Sequence, residues 1–281
     1  MPNAANYTDI LYTVRDVIAT ITLNRPDKLN AWTRAMESDV RTAMHAAAAD
    51  PQVRVIVVTG SGRGFCAGAD MNLLSGISSS ESGGDGQRQP VPDVSAEAVS
   101  NAMDANYAAS FGYVQRIGKP VIAAINGPIA GIGLCFALYC DIRLMAEGAK
   151  LTTSFARRGL IAEHGISWLL PRLIGPMQAL DLLLSARTVT ATEAALLGLA
   201  RLLPADGFGE ATMAYAKELA QLSSPRSMGI IKRQLFEAQF QTLGDAVEIA
   251  NADMLQSFKS EDFREGVAHF VEKRAPAFTG R

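Results

Sequence analysis

The chain reads as an α/β protein built on parallel strands, followed by a helical C-terminal region. Three observations predict this. Short apolar runs of strand length recur at 53–59, 121–125 and 141–146, with helical stretches between them. Two of these runs lead into stretches rich in glycine and alanine, at 62–71 and 125–136. After residue 175 strand signals fade and helical periodicity takes over.

ILYTVRDVIATITLN (10–24) is rich in β-branched residues and broken near Arg15–Asp16, which predicts a hairpin. Residues 33–49 carry Met36, Val40, Ala43, Met44 and Ala47 at helical spacing, and Asp50–Pro51 ends that helix. VRVIVVT (53–59) then has the composition of a strand buried on both faces. Residues 75–98 replace aliphatics with Ser, Gly, Pro and charge, and read as a mobile surface insertion, either a lid or side-channel wall or a tolerated loop. A helical stretch near 101–117 precedes the strand VIAAI (121–125), and a short apolar helix near 132–139 precedes DIRLMA (141–146). The tail reads as helices at 176–185, 191–198, 210–222, 225–238, 242–257 and 261–272. Within 242–257, Leu243, Ala246, Val247, Ala250, Met254 and Leu255 form one apolar face. The expected division is a core over 1–200 and a helical region over 201–281.

Composition narrows the function. The chain has 281 residues, 48% hydrophobic and 19% charged, with a formal charge of −2. No basic excess points to nucleic acid or to an anionic membrane. No apolar run reaches the roughly 18 residues of a membrane span. Cys66, Cys135 and Cys140 are an odd number without CxxC spacing, so reduced buried thiols and a cytoplasmic setting are expected. The N-terminus MPNAANYTDI shows neither a basic nor an apolar signal segment. His45, His164 and His269 lack metal-ligand partners at useful spacing, so no metal site is expected.

Chemistry is concentrated in three stretches. GRGFCAGADM (62–71) and INGPIAGIGLCF (125–136) each follow an apolar strand and are rich in small residues. Small side chains let a ligand approach the main chain, and a helix N-terminus leaves N–H groups unpaired. Two such groups converging on one point make an oxyanion hole, suited to a carbonyl that becomes an enolate. A simple tight turn is the other reading of each stretch. Nucleotide motifs fail: Phe136 takes the last glycine position of GxGxxG, and GK[ST] is absent. The third stretch, RRGLIAEHGISWLLPRLIG (157–175), places Glu163 among Ile161, Ala162, Ile166 and Trp168. Apolar company suits a carboxyl that shuttles protons. A surface glutamate at the start of a helix is the plainer reading.

Together these pieces resemble the crotonase (enoyl-CoA hydratase/isomerase) superfamily. The resemblance runs through NRPDKLNA (24–31), GRGFCAGADM (62–71), KPVIAAINGPIAGIGL (119–134), CDIRLMA (140–146), GLIAEHGISWLLPRLIG (159–175), TATEAALLGLARLL (190–203) and SEDFREGVAHFVEKRAPAFTGR (260–281). It implies a crotonase (ClpP-like) spiral of ββα units with a C-terminal helical region that forms trimers, often paired into hexamers. It also implies an acyl-CoA thioester as substrate and no permanently bound cofactor. By motif, the backbone N–H groups of Ala69 and Ile132 would be the oxyanion donors. Lys28, Leu29, Ala31, Ala67 and Asp70 would meet coenzyme A, and Lys273 and Phe278 would close over it from a neighbouring subunit.

The departures from the family pattern set the expected reaction. Cys135 and Phe155 stand where hydratases of this family carry two glutamates. A buried thiol is a poor base and phenylalanine is inert. Glu163 matches the single acid of several enoyl-CoA isomerases. Isomerisation from 3-enoyl to 2-enoyl thioester is therefore the expected reaction. Hydration is the alternative, and a non-catalytic acyl-CoA-binding protein is the alternative of another class.

Overall fold

A computed structural model describes residues 7–71, 106–108 and 110–281. Among the described residues, one sheet has six strands in the order β1-β2-β3-β4-β6-β9. Strands β1 (Ile10–Arg15) and β2 (Ile18–Leu23) form the predicted antiparallel hairpin. Its two turn residues, Asp16 and Val17, both have positive φ, 50° and 62°, as a two-residue primed turn requires. Strands β3 (Val55–Gly60), β4 (Val121–Ile125), β6 (Ile142–Ala146) and β9 (Arg201–Leu203) continue the sheet in parallel from β2. Every residue of β4 is buried, matching its continuous apolar run. A smaller sheet joins β5 (Ile129–Ala130), β7 (Lys150–Thr152) and β8 (Val189–Thr190).

Helix α1 (Arg34–Ala49) starts at Thr33, whose side chain accepts the Met36 N–H at 2.9 Å. Its predicted stripe of Met36, Val40, Ala43, Met44 and Ala47 is completely buried. With α2 (Tyr113–Arg116), α3 (Gly131–Tyr139), α4 (Ile166–Ile174), α5 (Pro176–Ser185) and α6 (Ala191–Leu196), it supplies residues to the larger core. The opposite face of the sheet presents Ile18, Val55, Val57, Ile122 and Leu144 to α7 (Phe208–Leu222). The two cores follow from the two-residue side-chain alternation of the strands.

Helices α8 (Pro225–Glu237), α9 (Leu243–Ser257) and α10 (Glu261–Glu272) complete the chain. Lys232 of α8 is buried and ties that helix to the sheet: Nζ donates to Val114 O, Lys119 O and Asp141 Oδ2 at 3.0, 3.1 and 2.8 Å. The tail folds back on its own chain, where Arg54 Nη2 donates to Phe278 O at 2.6 Å.

After residue 175 the short strands β8 and β9 occupy the gaps between the expected helices. Strands of two or three residues carry no readable period, and only their partners define them. Around 101–117, helix is found only at Tyr113–Arg116 among the described residues. The insertion at 75–98 lies outside the described residues, as do 101–105 and 109.

Candidate active site

Both glycine-rich stretches emerge from the C-terminal ends of adjacent parallel strands, β3 and β4, so the sheet itself sets them side by side. The Phe65 and Cys66 N–H groups donate to Pro128 O at 3.1 and 3.2 Å, and the Ala130 N–H donates to Cys66 O at 2.9 Å. Contact this close needs a missing side chain. A Cβ on Gly133 would fall 2.6 Å from Cys66 Cβ. Gly68 has φ +105°, a conformation that an L residue rarely adopts.

A third segment runs along the first turn. The Ala67 N–H donates to Leu29 O at 2.9 Å, the Trp32 N–H to Gly68 O at 2.8 Å, and the Asp70 N–H to Trp32 O at 3.0 Å. Leu29, Ala31, Ala67, Ala69 and Asp70 therefore belong to neighbouring paired segments. A Cβ built on Gly131 would lie 3.9 Å from Gly68 Cα. Ala69 and Ile132 are the residues that follow these two glycines. Among the described residues neither of their N–H groups donates a hydrogen bond. That of Ile132 belongs to the first turn of α3, where no intrahelical acceptor exists. The Ile132 side chain packs against the larger core.

Three side chains that the sequence reading gave no role hold this frame. Asn30 is fully buried; its Nδ2 donates to Ser61 O at 3.0 Å and Gly64 O at 2.8 Å, and its Oδ1 accepts the Arg25 N–H at 2.8 Å. Asn126 Oδ1 accepts the Gly60 N–H at 3.1 Å, and its Nδ2 donates to Gly62 O at 3.0 Å. Arg25 pairs with Asp70 at 2.9 Å and donates to Ala31 O at 2.6 Å. Asp70 is thus buried and engaged by Arg25. The available signal was asparagine among turn formers in NRPDKLNA and ING, where the side chain can replace backbone partners.

Glu163 meets α3 through Cys135, whose Sγ lies 3.8 Å from Glu163 O. Its carboxylate is 4.0 Å from His164 Nε2, and its side chain is 39% exposed. The expected apolar company is only partly present. Ile161 is 78% exposed, and Trp168 stacks on Phe240 at 5.4 Å with the Arg172 guanidinium over its ring. His164 and Gly165, both with positive φ, turn the chain between Glu163 and α4. At the two hydratase positions, Cys135 and Phe155 are both buried. Burial, and secondly the charge of Glu163, push the Cys135 thiol up to about 12.

Of the three other expected residues, Lys28 borders these segments, and Lys273 and Phe278 lie in the C-terminal region. Lys28 is exposed at the end of the 3-10 turn Pro26–Lys28. Lys273 caps α10, and Phe278 is buried against His269 of its own chain. Arg54, which holds Phe278, precedes β3, whose far end leads into the first turn. A six-residue strand spans about 20 Å, so Phe278 does not reach the site of its own chain. Among the described residues no group of three His, Cys, Asp or Glu side chains could hold a metal ion. No helix of the described residues is long and apolar enough to cross a membrane.

Known proteins share this architecture. The structure superposes on an enoyl-CoA hydratase from Bacillus anthracis with a TM-score of 0.83, at 26% identity, covering 98% of this chain and 100% of the other. In sequence, the chain is 31% identical over 274 residues to the 1,2-epoxyphenylacetyl-CoA isomerase of Escherichia coli (strain K12), covering 97% of this chain and 98% of that protein. It is 34% identical over 279 residues to a probable enoyl-CoA hydratase of Rhodobacter capsulatus, covering 98% and 100%. The model of the enoyl-CoA hydratase/isomerase family matches residues 13–281. By fold, by sequence and by the paired turns at its strand ends, this chain belongs to the enoyl-CoA hydratase/isomerase family, within the crotonase superfamily.

Proposed function

We propose that the protein isomerises 3-enoyl-CoA to 2-enoyl-CoA thioesters. The observation that carries this reading is an acid at Glu163, whose main chain meets α3 at Cys135, with neither hydratase position acidic. The N–H groups of Ala69 and Ile132 receive the thioester oxygen. The Glu163 carboxylate removes a proton from C2. The C2 electron pair moves toward the thioester, giving a dienolate whose charge the two amides stabilise. The carboxyl then returns the proton to C4, and the double bond ends between C2 and C3. Proton count and electron count balance without water, so one acid suffices.

Leu29, Ala31 and Ala67 border the path of the coenzyme A arm, with Lys28 exposed at its rim and Asp70 bracing the turn. The helical region 201–281 carries the contacts of a trimer or of paired trimers, and Lys273 and Phe278 then face a neighbouring copy. Support for assembly comes from α9, whose Leu243 is 82% exposed. The three thiols are free and buried, as suits a reducing cytoplasmic setting.

Hydration is the second reading. Half-exposure of Glu163 admits water beside the carboxylate, and the Rhodobacter capsulatus relative is named as a hydratase. One experiment separates them: the protein is incubated in deuterium oxide with 3-enoyl-CoA and with trans-2-enoyl-CoA, and products are read by mass spectrometry. Isomerised product with solvent deuterium is expected, together with a loss of about 10²–10⁴ in rate for Glu163→Gln. Rapid formation of 3-hydroxyacyl-CoA would replace isomerisation by hydration. Tight binding without exchange would make the protein an acyl-CoA carrier.

A further inference from the structure

Arg158 lies beside the same turn and has no role in the reaction above. It closes the 3-10 turn Ala156–Arg158, where its N–H donates to Phe155 O at 2.9 Å. The buried Phe155 ring anchors that turn, and Gly159 at φ +70° ends it. Arg158 itself is exposed, and its guanidinium reaches back over the first glycine-rich turn: a Cβ on Gly68 would lie 3.9 Å from Nη1. Ala69, the proposed oxyanion donor, is the next residue.

Three other arginines are engaged by protein partners. Arg157 Nε donates to Ser185 O at 2.9 Å, Arg25 holds Asp70, and Arg187 holds Glu193 and Asp181. The Arg158 side chain makes no hydrogen bond or ion pair among the described residues. A guanidinium is always charged and presents a planar fork that matches a carboxylate. Held at a ligand site without a protein anion, it is set to receive one from the ligand.

The geometry points to Arg158 as the receptor for a carboxylate carried on the acyl group, which makes the substrate class short dicarboxylic acids linked to coenzyme A through one end. This rests on the proposed reading of the turn as the thioester site. Nη1 sits against Gly68, one residue from the Ala69 amide, so the second carboxylate is only a few bonds from the thioester. The thioester oxygen is already served by two amides, which leaves the guanidinium for a separate anion. Coenzyme A phosphates are the other source of negative charge, and the test distinguishes the two.

Succinyl-CoA and butyryl-CoA have the same chain length and the same coenzyme A, and differ by the terminal carboxylate. Their dissociation constants are measured by calorimetry. Neither needs to turn over, so failure of the isomerase reading leaves this result interpretable. Succinyl-CoA is expected to bind about tenfold more tightly to the unaltered protein, the size of one charge-assisted contact. Arg158→Leu brings the ratio of the two constants to about one, and Arg158→Lys leaves it in between. Arg158→Gln provides the same reading should the leucine variant fail to fold. Equal binding of both thioesters by the unaltered protein overturns the inference. So does a ratio that stays near ten without the arginine, which is the outcome of a phosphate contact weakening both ligands alike.

Discussion

Helices α1 and α9 are written in the same code and end in opposite places. Both show apolar residues at helical spacing, and both begin at a threonine cap. In α1 the stripe from Met36 to Ala47 is fully buried against the sheet. In α9 no residue is buried: Leu243, Val247, Met254 and Leu255 are 82, 48, 45 and 58% exposed. An apolar stripe states that a helix has something to bury, not where the partner is. For α1 the partner is two strands of its own chain, whereas among the described residues nothing buries that face of α9. Between them stands α8, joined to the core by the Lys232–Asp141 pair. That pair marks where core-like behaviour stops.

Three measurements can break or sharpen this contrast. The largest effect belongs to the boundary itself. Lys232→Met leaves the Asp141 carboxylate buried without its cation, and is expected to cost about 3–5 kcal/mol in urea unfolding. A loss under about 1 kcal/mol would rank the pair with surface pairs and move the boundary outward.

Next comes a direct exchange between the two helices. Met44→Ala removes a buried side chain and should cost about 2–5 kcal/mol, whatever the protein concentration. Replacing Met254 and Leu255 by serine should leave the fold intact but lower the mass in analytical ultracentrifugation and remove the concentration dependence of Tm. Unchanged mass in that variant would show that α9 does not carry the assembly contact.

The smallest effect per group is a response to alkaline pH. Burial pushes the thiols of Cys66, Cys135 and Cys140 from an ordinary 9.0 up to about 12. All three lie on the core side with α1, and α9 carries no thiol. A raised folded-state value means that stability is fully present below pH 9 and is lost as pH climbs toward about 12. Each thiol contributes a loss of roughly 1 kcal/mol per pH unit in that window. Thermal melts should therefore be flat from pH 7 to 8.5 and fall above 9, and an Ellman titration of the native protein at pH 8 should release no colour. Rapid thiol reaction without unfolding would contradict the burial.

The sequence alone determined whatever depends on spacing along the chain. The hairpin, the stripe of α1, the apolar strands and the glycine-rich stretches at 62–71 and 125–136 all occupy their expected places, because each is a local period or a local excess of small residues. Seven matching stretches in family order were enough to place the chain with the crotonases. Tertiary structure decided what depends on residues far apart. It made Arg201–Leu203 a strand only because β6 offers it hydrogen bonds. It turned Trp168 toward Phe240, and it brought Arg158 over Gly68, some ninety positions earlier in the chain. Asn30 and Asn126 became clamps because two strand ends meet beside them. The physical reason is one of range: backbone preference and hydrophobic period act over a few residues, whereas a contact between distant side chains exists only after the sheet has set their distance.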